Sequence, residues 1–526
     1  MDNRRIVGIE TEYGIVTQGD PYRSAIAASS SLVAAYYPSS RGGIDAPPVG
    51  WDYRGEDPLK DQRGHRLARA SADPSLLTDD PSRPAPSGPT LTELERTSRD
   101  EARLPRAHAC VLANGARFYV DHAHPEYSSP ECRGVREAVI YDRAGDAIAR
   151  DAMAAAAALG DPIVLFKNNV DGKGASYGAH ENYLLRRDVD FSTLTRAALP
   201  FLATRPLICG AGRVGIGQRS DEAGFQISQR ADYIENTIGL ETTFNRPLIN
   251  TRDEPHADAS AHRRLHIICG DANQFDVSTY LRIGTLSALL WAIETGHGHA
   301  FDDLTACGDI VCETAAFSHD LTLTHTMDTV GGIAMSALDI QRAYLERIAD
   351  LPHVADDDER VDVLAQWERV LNVLATDPIA AATDIEWVAK YELFNAMRQR
   401  WNTTWADPRL QALDLRWADL RPDRSPLGHL EKAGRIRRLA SPDEIAVATT
   451  TPPQTTRAAC RGLAARYLPG LTEASWTSLI FDTGQPRLTR VALPDPAAAP
   501  TAPARAAALS GDVDAFVALL AEGATH

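Results

Sequence analysis

Long hydrophobic runs and paired cysteines are both missing from this sequence. No uninterrupted apolar stretch reaches the ~18 residues that a membrane-spanning helix needs, and two glutamates interrupt the apolar character of the first residues, which excludes a secretory signal peptide. The seven cysteines are scattered without CxxC spacing. We therefore expect no membrane segment, no disulfide framework and no structural zinc site, and a reducing, cytoplasmic location.

Positive charge is also in short supply. Lys and Arg number 54 against 71 Asp and Glu, which gives a formal net charge of −17. This balance favours solubility and argues against general affinity for nucleic acid or anionic membranes. The chain has 526 residues, whereas single cores stop growing at roughly 250–300 residues. We therefore expect one large domain and at least one small domain.

Strand-like and helix-like patterns occupy different parts of the chain. The strand patterns fall at 4–17, 115–128, 162–169, 181–186 and 263–270, and 278–420 is mainly helical. Because there is no regular βαβ alternation, this order predicts an α+β fold with an antiparallel sheet. We predict a large domain over residues 1–430 and a small C-terminal domain with a Pro- and Ala-rich tail over 431–526.

Residues 66–107 lack regular patterning. Most of this stretch is rich in Pro, Ser, Thr and Asp, a composition that cannot bury a core. We predict a flexible insertion in the large domain. Two interpretations are open: a disordered segment, and a flap over a functional site, since long insertions in compact domains are often lids.

Two carboxylates, Glu10 and Glu12, stand two residues apart in the strand-like segment GIETEYG. Residues two apart share a strand face, and buried carboxylates are costly unless they are paired or bind metal. A hard cation such as Mg²⁺ takes oxygen ligands, including nucleotide phosphates. The pair is therefore a candidate magnesium site, with a solvent-facing strand edge as the alternative.

The segment RFYVDHAHPEYS places Arg117, Tyr119 and Asp121 on one strand face by the same period of two, with the residues between them toward the core. Glu126 follows Pro125 and is expected to turn back toward that face. Asp121 is the candidate reactive carboxylate, as a base or as a nucleophile. A purely structural Arg–Asp pair is the alternative.

Two later segments add histidines and arginines. In NNVDGKGASYGAHENYL, His180 and Asn182 share a strand face after a glycine-rich turn that is not a Walker P-loop. In INTRDEPHADASAHRRLHIICGDAN, His262 and His266 lack the zinc-protease spacing HExxH. Arginines such as Arg252 suit bidentate contacts to phosphate or carboxylate. A tight hairpin and a salt-bridge network are the respective alternatives.

Together these segments offer the groups that a phosphate-handling site needs. The blocks GIETEYG, NGARFYVDHAHPEYSSPEC, NNVDGKGASYGAHENYL and INTRDEPHADASAHRRLHIICGDAN resemble the signature blocks of the Pup ligase/depupylase family, which is related to glutamine synthetase and the carboxylate–amine ligases. The resemblance runs from residue 4 to about 485. It implies a curved, mostly antiparallel sheet that cradles the site, is packed with helices and carries a small C-terminal domain.

The resemblance also implies roles for single residues. Asp121 matches the catalytic aspartate. The implied metal and phosphate shell is Glu10, Tyr119, Glu126, His180 and His266. The implied nucleotide contacts are Arg117, Ser129, Trp476, Asn182 and Arg252. The implied substrate contacts are Arg205 and Arg230.

Three features resemble the depupylase branch rather than the ligase branch: WDYRGEDPLKDQRGH at 51–65, the insertion before Asn114, and the spacing in DHAHPEYS. The implied activity is deamidation of the C-terminal glutamine of Pup, a small protein modifier, and cleavage of the Pup–lysine isopeptide bond. The implied cofactors are Mg²⁺ and ATP, or ADP with phosphate. Pup and pupylated proteins are the implied partners, and a monomer is favoured. The alternatives are a Pup ligase, a ligase of small molecules, and a non-catalytic adaptor.

Overall fold

The computed structural model of the protein describes residues 4–77, 90–96, 108–171 and 173–523. The strands in these residues are β1 (Ile6–Glu12), β2 (Gly14–Thr17), β3 (Gly50–Trp51), β4 (Leu91–Leu94), β5 (Ala109–Val111), β6 (Arg117–Asp121), β7 (His124–Ser128), β8 (Cys132–Arg133), β9 (Ile163–Phe166), β10 (Ala179–Arg186), β11 (Arg213–Ile216), β12 (Glu222–Gln226), β13 (Asn236–Gly239), β14 (Pro247–Asn250), β15 (His262–Ile267), β16 (Thr326–Asp328), β17 (Ala334–Ser336), β18 (Leu471–Ala474), β19 (Ser478–Phe481) and β20 (Leu488–Ala492).

The α-helices in the same residues are α1 (Ala25–Ser40), α2 (Val135–Ala158), α3 (Phe191–Thr204), α4 (Pro206–Cys209), α5 (Asp276–Ala292), α6 (Ile310–His319), α7 (Ala337–Ala349), α8 (Asp358–Thr376), α9 (Glu386–Arg400), α10 (Pro408–Trp417), α11 (Pro426–Lys432), α12 (Pro442–Ala448), α13 (Ala458–Tyr467), α14 (Ala502–Ser510) and α15 (Val513–Gly523). Within the described part of the chain, no helix combines the length and apolar character that a membrane crossing requires.

A nine-stranded sheet forms the centre of the fold. Its order is β13-β14-β15-β10-β1-β7-β6-β5, and β8 also pairs with β1. All of these pairings are antiparallel except that of β13 with β14. The predicted α+β class with a mostly antiparallel sheet is therefore confirmed.

The period of two divides the central strands into a helix-facing side and an open side. On β1 and β10, Val7, Ile9, Tyr183 and Leu185 are buried in the main hydrophobic core with residues of α2, α3, α5 and α8. Burying an aliphatic side chain of this size contributes roughly 1.5–3 kcal/mol. Because apolar residues alternate with polar ones along these strands, the apolar side chains pack on the helices and the polar ones, such as Glu10, Glu12 and His180, point to the opposite face.

Two predicted strands are each divided in the structure. The pattern at 4–17 breaks at Tyr13, after which β2 leaves the central sheet and pairs with β9. The pattern at 115–128 forms the hairpin β6–β7, in which His122 has a positive φ of 51°. Positive φ at a hairpin turn matches the twist of the flanking strands, and the hairpin brings Glu126 back beside Tyr119 in register.

A second sheet of five strands, which we call the C-terminal sheet, has the order β3-β18-β19-β20-β4. It therefore combines strands from near the C-terminus with β3 and with β4, which belongs to the predicted insertion. Residues 78–89 and 97–107 of that insertion lie outside the described residues, as does Gly172 in the glycine-rich turn. The flexibility of the insertion and the domain boundary near residue 430 stay predictions.

Candidate functional site

A cavity of about 680 Å³ opens on the side of the central sheet that faces away from the helices. Side chains at alternate positions of β1, β6, β7, β10 and β15 form its floor, and the C-terminal sheet contributes an aromatic wall. The predicted site residues that line it are Glu10, Arg117, Tyr119, Asp121, Glu126, His180, Arg230, Arg252, His266 and Trp476.

Glu10, His180 and His266 form the first cluster of potential metal ligands, with their ligand atoms within 4.8 Å of one another. Register brings them together, because Glu10 pairs with His180 across β1 and β10, and Asn182 pairs with His266 across β10 and β15. His180 Nδ1 lies 3.1 Å from Glu10 Oε2, and Asn182 Nδ2 donates to Glu10 Oε1 at 2.9 Å. Residues from the three adjacent strands β1, β10 and β15 thus form a single set of potential metal ligands.

The hydrogen bonds of this cluster leave an imidazole nitrogen available for a metal. Asn182 Oδ1 lies 2.8 Å from His266 Nδ1 and accepts from Arg264 at 2.9 Å. Since an amide oxygen only accepts, His266 carries its proton on Nδ1 and keeps Nε2 free.

Burial and the charge of Arg264 lower the pKa of His266 well below its ordinary value. Burial alone would raise the pKa of Glu10, but the hydrogen bond from His180 and nearby cationic charge lower it.

Glu12, Asp121 and Glu126 form the second cluster, with the same 4.8 Å limit between ligand atoms. Glu12 and Glu126 are direct partners across β1 and β7. Tyr119 donates from its hydroxyl to Glu126 Oε1 at 2.7 Å, and Ser128 Oγ donates to the same oxygen at 3.0 Å. Burial and the charges of the surrounding carboxylates raise the pKa of Glu126 well above its ordinary value.

Both clusters fit divalent cations. The second is an all-oxygen donor set, which Mg²⁺ prefers, and the first mixes one carboxylate with imidazole nitrogens. A cation would offset the repulsion that raises the pKa of Glu126. Gly178 keeps the space between the clusters open, because a Cβ at this position would lie 2.6 Å from Glu12 Oε1 and would also collide with the His180 ring.

An aromatic box holds Arg117 at one end of the cavity. Its guanidinium lies 4.2 Å from the centroid of the Trp51 ring and 3.7 Å from that of Tyr119, and Nη2 donates to the Tyr53 hydroxyl at 2.9 Å. Trp51 in turn donates from Nε1 to Glu56 at 2.9 Å, and burial raises the pKa of Glu56 to about 7. A cation fixed in this way is suited to an anionic ligand such as phosphate.

Arginines form another wall of the cavity. Arg230 is buried, and its Nη1 donates to Ser176 Oγ at 3.2 Å and to the Tyr177 carbonyl. Burial and the charge of Arg246 lower the pKa of Arg230 to about 10, so it is still a cation at neutral pH. Arg246 and Arg252 line the same wall, which also carries Glu254, 3.6 Å from Arg252 Nε.

Ser129 and Asn182 lie in a narrow pocket of about 80 Å³ that adjoins the cavity. Ser129 Oγ accepts from the Ile9 amide at 2.9 Å and donates to the Pro130 carbonyl at 3.1 Å. Its hydroxyl therefore also fixes the path of the chain beside β1. Trp476 lines both the narrow pocket and the cavity, and so marks the boundary between them.

The structure does not bring Arg205 to the cavity, which corrects the expectation that it contacts substrate. The side chain is buried on the helix side of the sheet, where its two terminal nitrogens lie 2.8 and 2.9 Å from the oxygens of Glu181. Position 181 is odd-numbered on β10 and so faces the helices, opposite His180 and Asn182. Arg205 therefore balances a core carboxylate.

Several cavity residues escape prediction from the sequence. They are Trp51, Tyr53, Glu56, Arg246, Glu254 and His256. Trp51, Tyr53 and Glu56 belong to the quoted block WDYRGED, whose density of aromatic and charged residues in an otherwise irregular stretch is a usable signal. Arg246 and His256 lie in loops, where no periodicity indicates which way a side chain points.

The sequence blocks that carry the earlier resemblance therefore meet in one cavity. A family model described as Pup-ligase protein matches residues 5–480. The chain belongs to this family. Within the Pup-ligase protein family, the Pup deamidase/depupylase of Mycobacterium tuberculosis is 42% identical over 524 residues, which covers 98% of each chain. The Pup–protein ligase of Mycolicibacterium smegmatis is 41% identical over 366 residues, which covers 68% of this chain and 80% of the ligase.

Solved structures of the Pup-ligase protein family share the fold. The complex between the prokaryotic ubiquitin-like protein Pup and its ligase PafA matches with a TM-score of 0.74 and 29% identity, over 99% of this chain and 93% of that chain. The Pup ligase PafA in complex with ADP matches with a TM-score of 0.68 and 32% identity, over 81% of this chain and 93% of that chain.

Proposed function

We propose that this protein deamidates the C-terminal glutamine of Pup to glutamate and cleaves the isopeptide bond between Pup and lysine. The observation that carries this proposal is the similarity to a Pup deamidase/depupylase over 98% of both chains, whereas the similarity to a Pup–protein ligase covers 68% of this chain. Pup and pupylated proteins are the proposed partners.

Asp121 is the proposed catalytic residue. It ends β6 on the cavity side, beside Glu12 and Glu126, and 26% of its side chain is exposed, so a substrate can reach it. Its Oδ2 lies 3.0 Å from His122 Nδ1. Asp121 either attacks the carbonyl carbon of the side-chain amide or takes a proton from the water that attacks. In both routes the C–N bond breaks, and nitrogen leaves as ammonia or as the lysine amine; in the first route, water then hydrolyses the bond between Asp121 and the acyl group and restores the free carboxylate.

The proposed cofactors are Mg²⁺ and ATP, or ADP with phosphate. Glu10, His180 and His266 would hold one metal ion, and Glu12 and Glu126, with the Tyr119 hydroxyl against Glu126, a second beside Asp121. When bound, the metal would supply positive charge near the developing oxyanion, and the nucleotide phosphates would help to order the pocket. The residues proposed for the nucleotide are Arg117, Ser129, Asn182, Arg252 and Trp476.

Arg230 is the proposed contact for a carboxylate of Pup. It is the buried cation of the arginine wall, and its hydrogen bonds to residues 176 and 177 fix its position. We also propose a cytoplasmic, monomeric protein, in which residues 1–430 form the catalytic domain and 431–526 a small domain. All seven cysteines are free thiols, as a reducing compartment requires.

The direct test uses purified full-length protein, glutamine-ended Pup, Mg²⁺ and ATP, with intact-mass detection. Deamidation replaces NH₂ by OH and adds about one dalton, because an amide becomes a carboxyl group. The Asp121→Asn variant keeps the shape of the side chain and is expected to lose at least about a hundredfold in rate, with Mg-ATP binding unchanged. Normal turnover by this variant would refute the role of Asp121.

A Pup–protein ligase is the second candidate, because both solved structures described above are of the ligase PafA. A ligase would consume ATP to join glutamate-ended Pup to a lysine. The same preparation should therefore be given glutamate-ended Pup, a lysine-bearing protein and ATP. Conjugation with stoichiometric ADP release, together with no change in the mass of glutamine-ended Pup, would favour the ligase.

A further inference from the structure

Glu131 is a largely buried carboxylate in the region where the central sheet and the C-terminal sheet meet, which we call the seam, and it lies outside the two clusters of metal ligands. It lies between β7 and β8, and 11% of its side chain is exposed. It accepts from Arg457 Nε at 2.7 Å and from both terminal nitrogens of Arg461. Arg461 belongs to α13, which Arg457 directly precedes, and α13 packs in the core of the C-terminal sheet.

Each of the two arginines also donates hydrogen bonds to backbone carbonyls at the seam. Arg461 donates from Nε to the Gly115 carbonyl at 2.7 Å and from Nη1 to the Trp476 carbonyl at 3.3 Å. Its guanidinium lies 4.8 Å from the centroid of the Trp476 ring. Arg457 donates from Nη1 to the Leu493 carbonyl at 2.9 Å. The Glu131 carboxylate therefore orients Arg461, and Arg461 in turn contacts both the backbone carbonyl and the ring of Trp476.

Trp476 connects these arginines to the cavity, because it lines the cavity and contacts Trp51. Its ring lies against Trp51 with 5.1 Å between centroids, and Trp51 is one side of the box around Arg117. Glu131 and Arg457 themselves line the narrow pocket, opposite residues of β1 and β10. One wall of the pocket thus comes from the central sheet, and the other comes from Arg457, Trp476 and Pro496, which lie in segments that flank α13 and the strands of the C-terminal sheet.

The charge of Glu131 is needed to hold this seam. Burial alone would raise its pKa, but the charges of Arg461 and Arg457 lower it to about 2, so the carboxylate is ionised at neutral pH. A neutral side chain in its place would leave the two buried guanidinium groups of Arg457 and Arg461 without the charged carboxylate that both contact. Removing one partner of a buried pair in this way is strongly unfavourable, and the arginines would move apart.

We propose that Glu131 is a positioning residue for the nucleotide, because it holds Arg457, Arg461 and Trp476 so that the C-terminal sheet closes the narrow pocket. This inference rests on the proposed function, which takes Trp476 as a nucleotide contact. Glu131 touches no reacting atom in this account. Loss of its charge should weaken nucleotide binding and leave the chemical step intact once the site is saturated.

The test compares wild type with Glu131→Gln, which keeps the size of the side chain and removes its charge. Calorimetric titration of the full-length protein with Mg-ATP is expected to show a Kd about tenfold higher, equivalent to about 1.4 kcal/mol. The rate with glutamine-ended Pup at saturating ATP should stay within about twofold, a change of less than ~0.5 kcal/mol. An unchanged Kd would overturn the proposal, as would a fall in the saturated rate without a change in Kd.

Asp384→Asn is the matched control. Asp384 is also a buried carboxylate held by two arginines, with 2.7 Å to Arg437 Nε and 2.7 Å to Arg369 Nη2, but it lies among the helices away from the cavity. It should lower the melting temperature and leave the Kd for Mg-ATP unchanged. An equal rise in Kd in this variant would overturn the proposal, because general destabilisation would then explain both results.

Two further measurements keep the proposal testable. If Glu131→Gln does not fold, Arg461→Lys takes its place, since it keeps the charge and loses the guanidinium contact with Trp476. A raised Kd in that variant supports the proposal, and an unchanged Kd overturns it. Wild-type protein that deamidates Pup without binding Mg-ATP would refute the nucleotide cofactor and this inference with it, but would leave the proposed amide chemistry standing.

Discussion

The two faces of the central sheet bury charge in different ways. On the helix face, every carboxylate named here has a cation beside it. Glu181 forms a two-pronged pair with Arg205. Asp142 and Asp146 share Lys167, whose Nζ lies 2.8 and 3.1 Å from their oxygens. Each of these carboxylates therefore has a cation of the protein as its partner, and we call this side balanced.

On the cavity face, carboxylates face one another. Glu12, Asp121 and Glu126 crowd together, and their repulsion and burial raise the pKa of Glu126. The same alternation along the strands thus produces a balanced side, whose carboxylates are paired with cations of the protein, and an unbalanced side, whose crowded carboxylates suit a metal cation. Uncompensated buried charge is expected where function demands it.

The largest effect on stability should come from breaking the balanced face. Lys167→Met removes the cation and leaves Asp142 and Asp146 buried with each other. Breaking a buried pair in this way is expected to lower the free energy of unfolding by about 3–5 kcal/mol, measured by urea denaturation. The Mg²⁺ concentration for half-maximal activity should not change. A variant as stable as wild type would contradict the claim that this face depends on charge balance.

Changing the unbalanced face should have the opposite effect on stability. Because the pKa of Glu126 is raised in the folded protein, the metal-free fold holds a proton that the unfolded chain releases, so its stability falls as pH rises from the ordinary glutamate pKa through the raised value. In EDTA at neutral pH, Glu126→Gln should therefore melt at a higher temperature than wild type. Its Mg²⁺ affinity should fall by about tenfold or more, as measured by titration. A lower melting temperature in EDTA would refute the repulsion.

A smaller effect is expected at the edge of the cavity face. Arg117→Lys keeps the charge but loses the flat group that lies between Trp51 and Tyr119. We expect the KM for ATP to rise by about tenfold, since lysine does not replace a stacked, bidentate arginine. The Mg²⁺ dependence should stay as in wild type. An unchanged KM for ATP, measured at saturating Pup, would exclude Arg117 from the nucleotide site.

The sequence predicts which residues share a strand face, because that depends only on a local period of two. Arg117, Tyr119 and Asp121 lie on the cavity face as expected, and so do Glu10 and Glu12. The sequence does not predict which strands lie side by side in the sheet. The division into two clusters follows from the pairing of Glu10 with His180 and of Glu12 with Glu126, partners more than a hundred residues apart.

Residues on helix ends and in loops show the limit of the same reasoning. Arg205 caps the C-terminal end of α3, and its contact with Glu181 depends on how that helix packs on β10. The aromatic wall requires β3 to join a sheet whose other strands lie mostly beyond residue 470. Neither arrangement leaves a periodic signal, so tertiary packing decides both.

The most direct test of this account is the Mg²⁺ dependence of Pup deamidation. Wild-type protein is incubated with glutamine-ended Pup and ATP, either in Mg²⁺ or in EDTA, and the intact mass of Pup is followed over time. We expect a gain of about one dalton, from amide to carboxyl, in Mg²⁺ and none in EDTA, with activity restored when Mg²⁺ is added back. The same gain at the same rate in EDTA would contradict it, because the crowded carboxylates of the cavity face would then act without a cation.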